Sequence, residues 1–127
     1  MDLTTLQAQI RASRQFTAKV DGVTFNIELP SDHAWRITIE TNCDAEGRLV
    51  GSRASRATLL ATITGWEGLT ERHLLSSAPA DPLPFSPAAR SELLDTRQDI
   101  ADDLMIQIGV KLAERREARD AASASAA

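Results

Sequence analysis

The sequence predicts an α+β fold: an N-terminal antiparallel β-hairpin or small sheet packed by three to four α-helices. Alternating polar and apolar residues on both sides of an Asp-Gly pair indicate the hairpin. Later in the chain, apolar residues recur at the spacing of amphipathic helices. A length of 127 residues suits one domain. We assign that domain to residues 15–119, with a helical arm at 1–14 and a disordered Ala/Ser tail at 120–127.

A short amphipathic helix is predicted for residues 2–14. Asp2 is a suitable N-cap, because its carboxylate can accept hydrogen bonds from the free N–H groups of a first turn. The narrowness of the apolar stripe suits an arm that becomes ordered on a partner. That stripe consists of Leu3, Leu6 and Ile10.

The hairpin is predicted for residues 15–29, where the apolar period changes to two. Asp21 and Gly22 separate the two alternating runs, and Gly22 can adopt the positive φ that a type I′ turn requires. One face of the hairpin is apolar, so another element has to cover it.

Residues 31–42 leave two interpretations open. The alternation of Trp35, Ile37 and Ile39 with polar residues slightly favours a strand. Ser31 and Asp32, following a proline, instead resemble the start of a helix.

Three helices are predicted in the rest of the chain. The first ends where Gly65 interrupts the helical pattern. Residues 76–87 contain four prolines and no regular structure. Their last two residues, Ser86 and Pro87, supply the N-cap and first helical position of the second helix, and Asp99 begins the third. The predicted spans are about 52–64, 87–95 and 99–119.

Composition argues against several classes of protein. The chain has 14 basic and 18 acidic residues, and its arginines are interleaved with acids, so a nucleic-acid-binding surface is not expected. A local patch of Arg48, Arg53 and Arg56 is the one exception. No apolar run is long enough to cross a membrane, and the N-terminus does not resemble a signal peptide. We therefore expect a cytosolic protein without membrane partners.

No residue set predicts catalysis, a cofactor or a metal site. Cys43 with His33 or His73 could form a thiol–imidazole pair, but nothing in the sequence brings them together, and a free cysteine more often acts as a small apolar residue. Asp102 and Asp103 are neighbours on a helix and point about 100° apart, so an acidic helix N-terminus is the simpler interpretation. We predict that the protein is not an enzyme.

Three short motifs follow one another in the second half of the chain. In chain order they are Gly65-Trp66-Glu67-Gly68, Pro84-Phe85-Ser86 and Leu93-Leu94. This layout, most clearly over residues 57–95, resembles that of the tail assembly chaperones of long-tailed bacteriophages and prophages. Two departures are a longer proline-rich gap at 76–84 and an arginine-rich stretch at 48–56.

The resemblance implies a role in tail assembly. Chaperones of this family bind the tape measure protein, a long helical chain that sets tail length, and keep it soluble. Tail tube subunits, the major tail protein, then polymerise around it and the chaperone leaves. The resemblance therefore implies a protein of the bacterial host cytoplasm that is absent from the mature virion. A homo-oligomer would be compatible with this role.

We predict the partner surface on apolar residues that a small domain cannot fully bury. For Trp66, a place in the core is the more frequent alternative, and Phe85 could plug the core from a stiff connector. Other functions stay open: a structural virion component such as a head–tail connector or tail terminator, a small DNA-binding regulator, or a small enzyme using Cys43. The predicted surface comprises Trp66, Leu69, Leu83, Phe85, Leu94, Leu104 and Ile108.

Overall fold

A three-stranded antiparallel sheet in the order β1-β2-β3 forms one layer, and helices cover one of its faces. The structure is a computed structural model that describes residues 1–126, and Ala126 only by its backbone. The predicted α+β class is confirmed. In chain order the elements are α1 (Leu3–Ser13), β1 (Gln15–Val20), β2 (Val23–Glu28), α2 (Asp32–Thr41), α3 (Gly51–Thr62), β3 (Ile63–Glu67), α4 (Glu71–Leu74), α5 (Pro87–Thr96) and α6 (Gln98–Ala126).

The predicted hairpin is confirmed in position and turn type. Val20 pairs with Val23 across a two-residue turn. Both turn residues have positive φ, 51° at Asp21 and 76° at Gly22, as a type I′ turn requires. This turn matches the right-handed twist of the strands, so the local sequence alone sets their register.

Strand β3 was not predicted. Helix α3 ends at Thr62 and the chain enters β3 without a loop, so the predicted helix through Thr64 with a stop at Gly65 is wrong. Gly65 pairs with Asn26 of β2, and a Cβ at this position would lie 3.2 Å from the Asn26 side chain. The glycine therefore permits close strand approach. The apolar run before it fits both periods, which hid the change from helix to strand.

The open alternative at 31–42 is resolved as helix α2. The Ser31 hydroxyl accepts a hydrogen bond from the Ala34 N–H at 3.1 Å, which caps the first turn. Together with the short α4, this helix raises the number of helices in residues 1–126 to six, above the three to four predicted.

Helix α6 extends further than predicted. It continues past Arg119 to Ala126, so the predicted disorder of the tail is wrong for residues 120–126. Alanine has the highest helix propensity, which outweighs the absence of packing there. Ala127 lies outside the described residues. Within residues 1–126, no helix combines the length and apolar character needed to cross a bilayer.

The core lies between the apolar face of the sheet and helices α3, α5 and α6. The central strand β2 contributes Val23, Phe25 and Ile27, and α6 contributes Ile100, Leu104 and Ile108, all of them buried. The opposite face of β2 carries Asn26, which is exposed. A sheet covered on one face only explains the strict alternation of its strands.

Candidate functional site

Five of the seven residues predicted to form a partner surface belong to the core instead. Leu83 and Phe85 are half-buried and pack against that core. The expectation that the domain cannot fully bury these side chains is wrong for the five core residues, because the proline-rich segment folds back onto β3 and the apolar stripe of α6 faces the sheet. The exposed fractions are 8% for Trp66, 1% for Leu69, 5% for Leu94, and 0% for Leu104 and Ile108.

The motifs that carry the family resemblance form one internal packing unit. The Trp66 indole N–H donates to the carbonyl oxygen of Leu83 at 2.8 Å. The Phe85 ring packs edge-on against Trp66, with ring centroids 4.9 Å apart. The Arg90 guanidinium lies 5.7 Å from the centroid of Phe85, and Ser86 caps α5. The core alternative for Trp66 is confirmed, so these motifs hold the proline-rich segment to the sheet.

The candidate catalytic residues are not brought together. Cys43 follows the end of α2 and its thiol donates to the Ile39 carbonyl at 3.2 Å, whereas His33 lies at the start of that helix, roughly 15 Å away along its axis. His73 lies on α4, where Nδ1 accepts from the Thr70 N–H at 3.0 Å.

The acidic residues of α6 also form no shared site. Asp102 accepts a hydrogen bond from Gln98 at 2.8 Å, and Asp103 accepts one from Gln107 at 3.3 Å. Among residues 1–126, no group of three or more His, Cys, Asp and Glu side chains is arranged to hold a metal ion.

An open cleft between α2 and the middle of α6 is the candidate site, and we call it the arginine cleft. Its volume is about 630 Å³. Trp35 projects from α2, and the apolar residues of α6 complete this part of the lining. These are Met105, Ile108, Gly109, Leu112 and Ala113.

Gly109 leaves space in the cleft. It lies inside a helix of 29 residues, where glycine costs about 1 kcal/mol relative to alanine. A Cβ built at this position would meet no atom within 4 Å, so packing does not explain the glycine. Its effect is to keep the cleft wide beside Leu112. Gly109 was not among the residues predicted from the sequence to bind a partner, although a glycine inside a helical pattern is a signal for a special structural role.

The charged lining of the arginine cleft is strongly basic. It carries four positive charges and one negative, a net charge of +3, on a chain whose net charge is -4. Arg119 pairs with Asp32, and Arg115 donates to the Ser13 carbonyl at 2.8 Å. The five charged residues are Arg14, Asp32, Arg115, Arg116 and Arg119.

Two of these arginines keep donors without acceptors. The Nε of Arg14 is buried and has no hydrogen-bond partner in the described part of the chain. Arg116 takes part in none of the ion pairs formed within residues 1–126. Glu28 lies close enough to Arg14 for their charges to interact, but it already accepts hydrogen bonds from Arg11 and Gln15. These bonds, the one from Arg11 most, lower the pKa of Glu28. The lining of the cleft therefore carries positive charge that its one acidic residue does not neutralise, which favours anionic groups.

A second polar cluster at the other end of the hairpin is fully used inside the protein. We call Asp21, His73, Arg97 and Asp99 the turn cluster. The Arg97 guanidinium donates to Asp99 at 2.9 Å, to Asp21 at 3.0 Å and to the His73 carbonyl at 3.0 Å. The pKa of Arg97 is raised, most by its hydrogen bonds to Asp99 and next by its hydrogen bond to Asp21. The hydrogen bonding between Arg97 and Asp99 in turn lowers the pKa of Asp99 to about 2.

The lining of the arginine cleft suits the binding of a partner without catalysis. Apolar side chains with a few convergent polar groups are the usual lining of a binding site, and guanidinium groups suit carboxylates or phosphates. Neither a protein-family model, nor a curated protein, nor a solved structure matches this chain.

Proposed function

We propose that this protein is a non-catalytic tail assembly chaperone whose arginine cleft holds helical segments of the tape measure protein while tail tube subunits polymerise around it. The observation that carries the proposal is the open apolar lining between α2 and α6, with Gly109 leaving room for a guest side chain. The order of the sequence motifs supports the choice of family. Those motifs are structural in this chain, so binding is assigned to a different surface.

The shape of the cleft suits a helical guest. Its lining runs along α6 from Met105 to Arg119, a rise of roughly 21 Å at 1.5 Å per residue. A guest helix lying alongside α6 would present side chains at positions i, i+3, i+4 and i+7, which is the helix-in-groove mode of recognition. Trp35 of α2 would contact the apolar stripe of that helix.

The size of the cleft suits a transient contact. A volume of about 630 Å³ accommodates a few side chains, so the surface buried by one helical segment is smaller than in a stable complex. Many copies bound along one long chain would nevertheless cover its apolar stripe through multivalency. Weak individual contacts also allow tube subunits to displace the chaperone.

The test is co-expression of the full chain with a helical fragment of a tape measure protein. Gly109→Leu adds a bulky side chain to the lining of the arginine cleft, so we expect the fragment to lose co-purification and to aggregate. Gly51→Leu is the matched control, since a Cβ there also meets nothing within 4 Å and the residue starts α3, away from the cleft. Both variants should keep the circular dichroism spectrum of the wild type.

Two results would contradict this function. One is co-purification that Gly109→Leu leaves unchanged. The other is recovery of the chain in purified phage particles at the copy number of a connector or terminator ring, measured by mass spectrometry. A structural virion component stays in the particle, whereas a chaperone leaves before the particle is complete.

A further inference from the structure

We infer that the segment held in the arginine cleft is an amphipathic helix with carboxylates along the edge of its apolar stripe, and that Arg14 and Arg116 select it. This inference rests on the proposed function, which by itself requires only an apolar helix. It adds the charge of the partner and names the residues that recognise that charge.

The lining of the cleft has more arginines than acids. Once Asp32 is assigned to Arg119, no acidic residue in the lining remains for the other arginines. A purely apolar guest would cover Arg116 and further desolvate Arg14 without offering an acceptor. Each guanidinium group left unpaired in this way opposes binding.

A carboxylate on the guest removes this obstacle. Guanidinium and carboxylate groups match in a planar, two-point hydrogen bond that is stronger than a neutral one. Arg14 enters the cleft from the α1–β1 junction, and Arg116 enters it from α6. A guest helix in the cleft can place acids along the edge of its apolar stripe, at spacings of three or four residues.

A protein guest fits the lining better than a nucleic acid. A phosphate backbone in the cleft would press charged groups against Trp35, Met105 and Leu112. Binding a single strand by stacking needs several exposed rings, and only 4% of this chain is aromatic.

Helix α1 of a second copy fits less well. It presents a free apolar stripe, with Leu3, Leu6 and Ile10 exposed by 67%, 43% and 44%. The charged residues of this arm, residues 1–14, are Asp2, Arg11 and Arg14, so it offers no row of acids.

The experiment compares three labelled 18-residue helical peptides that share one Leu/Ala stripe and carry Glu, Gln or Lys at its edges. Fluorescence anisotropy with the full chain should give the tightest binding for the Glu peptide, about tenfold weaker binding for the Gln peptide and none for the Lys peptide. Added salt should weaken the binding of the Glu peptide only, because it screens charge interactions.

A charge reversal identifies the selecting residue. Arg116→Glu should lower the affinity for the Glu peptide by about tenfold or more, because like charges repel across the cleft. It should also allow the Lys peptide to bind, because opposite charges then attract. Arg53→Glu, an exposed arginine of α3 outside the cleft, is the matched control and should change neither affinity. Arg116→Gln should lie between wild type and Arg116→Glu.

The outcomes separate this inference from the proposed function. Equal binding of the Glu and Gln peptides, abolished by Gly109→Leu, overturns the charge selection and leaves the cleft as a helix-binding site. Peptide binding that Gly109→Leu does not affect overturns the cleft itself. Two further outcomes would assign the site to a different partner and also overturn the inference. One is that a single-stranded oligonucleotide binds more tightly than the Glu peptide, and the other is that the chain self-associates, provided that Arg116→Glu abolishes the binding or the association.

Discussion

The two ends of the β1–β2 hairpin use arginine in opposite ways. At the turn, Arg97 donates to two carboxylates and a carbonyl, all within the chain. At the open end, Arg14 and Arg116 line the arginine cleft; the buried Arg14 Nε has no acceptor in the described part of the chain, and Arg116 takes part in none of the ion pairs within residues 1–126. The comparison separates an arginine that stabilises the fold from arginines available to a partner. Residue type alone does not make that distinction.

The largest difference between the two ends is expected from their tryptophans. Trp66→Ala should lower the free energy of unfolding by about 3–5 kcal/mol, because it leaves a cavity against Phe25 and Phe85 and an unpaired Leu83 carbonyl. Trp35→Ala, at the half-buried wall of the cleft, should cost about 1 kcal/mol. Urea denaturation measures both values. Similar losses for the two variants would show that the cleft is as tightly built as the core.

The arginines themselves give the next largest contrast. Arg97→Met should destabilise the fold by about 1 kcal/mol, mainly through the lost hydrogen bond to the His73 carbonyl, since both carboxylate partners are exposed and their ion pairs are screened by solvent. Arg116→Met should stay within about 0.5 kcal/mol of wild type in the same denaturation experiment. An equal loss in Arg116→Met would mean that Arg116 supports the fold and is not free for a partner.

Glycine-to-alanine substitutions should have opposite signs at the two ends. Gly109→Ala should raise stability by about 0.5–1 kcal/mol through helix propensity, while the added methyl group weakens peptide binding in the cleft. Gly68→Ala should lower stability, because its φ is 86° and a Cβ would lie 3.2 Å from the Gly22 carbonyl oxygen. Thermal unfolding checks both signs, and a loss in Gly109→Ala would indicate hidden packing at that site.

The smallest expected effect is a pH dependence at the turn. Arg97 holds the pKa of Asp99 at about 2, below its ordinary 3.8, so the unfolded chain takes up this proton first as the pH falls. The stabilisation is complete above pH 3.8 and is lost as the pH falls towards about 2.

The variant Asp99→Asn isolates this carboxylate. Its stability should fall less steeply than that of wild type between pH 4 and 2, as measured by urea denaturation. Asp2 and Glu28, whose pKa values are also lowered, titrate in both proteins and cancel in the comparison. Parallel curves of stability against pH for the two proteins would show that the Asp99 carboxylate does not stabilise the turn cluster.

Local sequence signals predicted the elements whose causes are local. Asp21 and Gly22 specify the hairpin turn, and Ser86 with Pro87 specifies the start of α5. Residues 31–42 remained ambiguous because Ile37 lies on the apolar alternation of a strand yet is 47% exposed on α2. Strand β3 was missed because β2 and the Trp66 contacts select it, which no local pattern encodes.

The candidate site lay further from what sequence could predict. The arginine cleft unites Arg14 with arginines about a hundred positions later, and the hydrogen bond from Arg115 to Ser13 crosses 102 residues. Periodicity identifies which residues are apolar, but their partners decide which of them remain exposed. Sequence reasoning therefore placed the binding surface on Trp66 and Leu104, which the fold had already covered.

The bond between Arg97 and Asp21 joins positions 76 apart in the chain, whereas the turn that it secures closes between neighbours. Hairpins form within microseconds, while Arg97 can reach the turn only after the distant helices have docked. The contact is therefore expected to arise after the rate-limiting barrier. Stopped-flow kinetics of Arg97→Met should show faster unfolding and nearly unchanged refolding, so this one side chain governs how long each folded molecule survives.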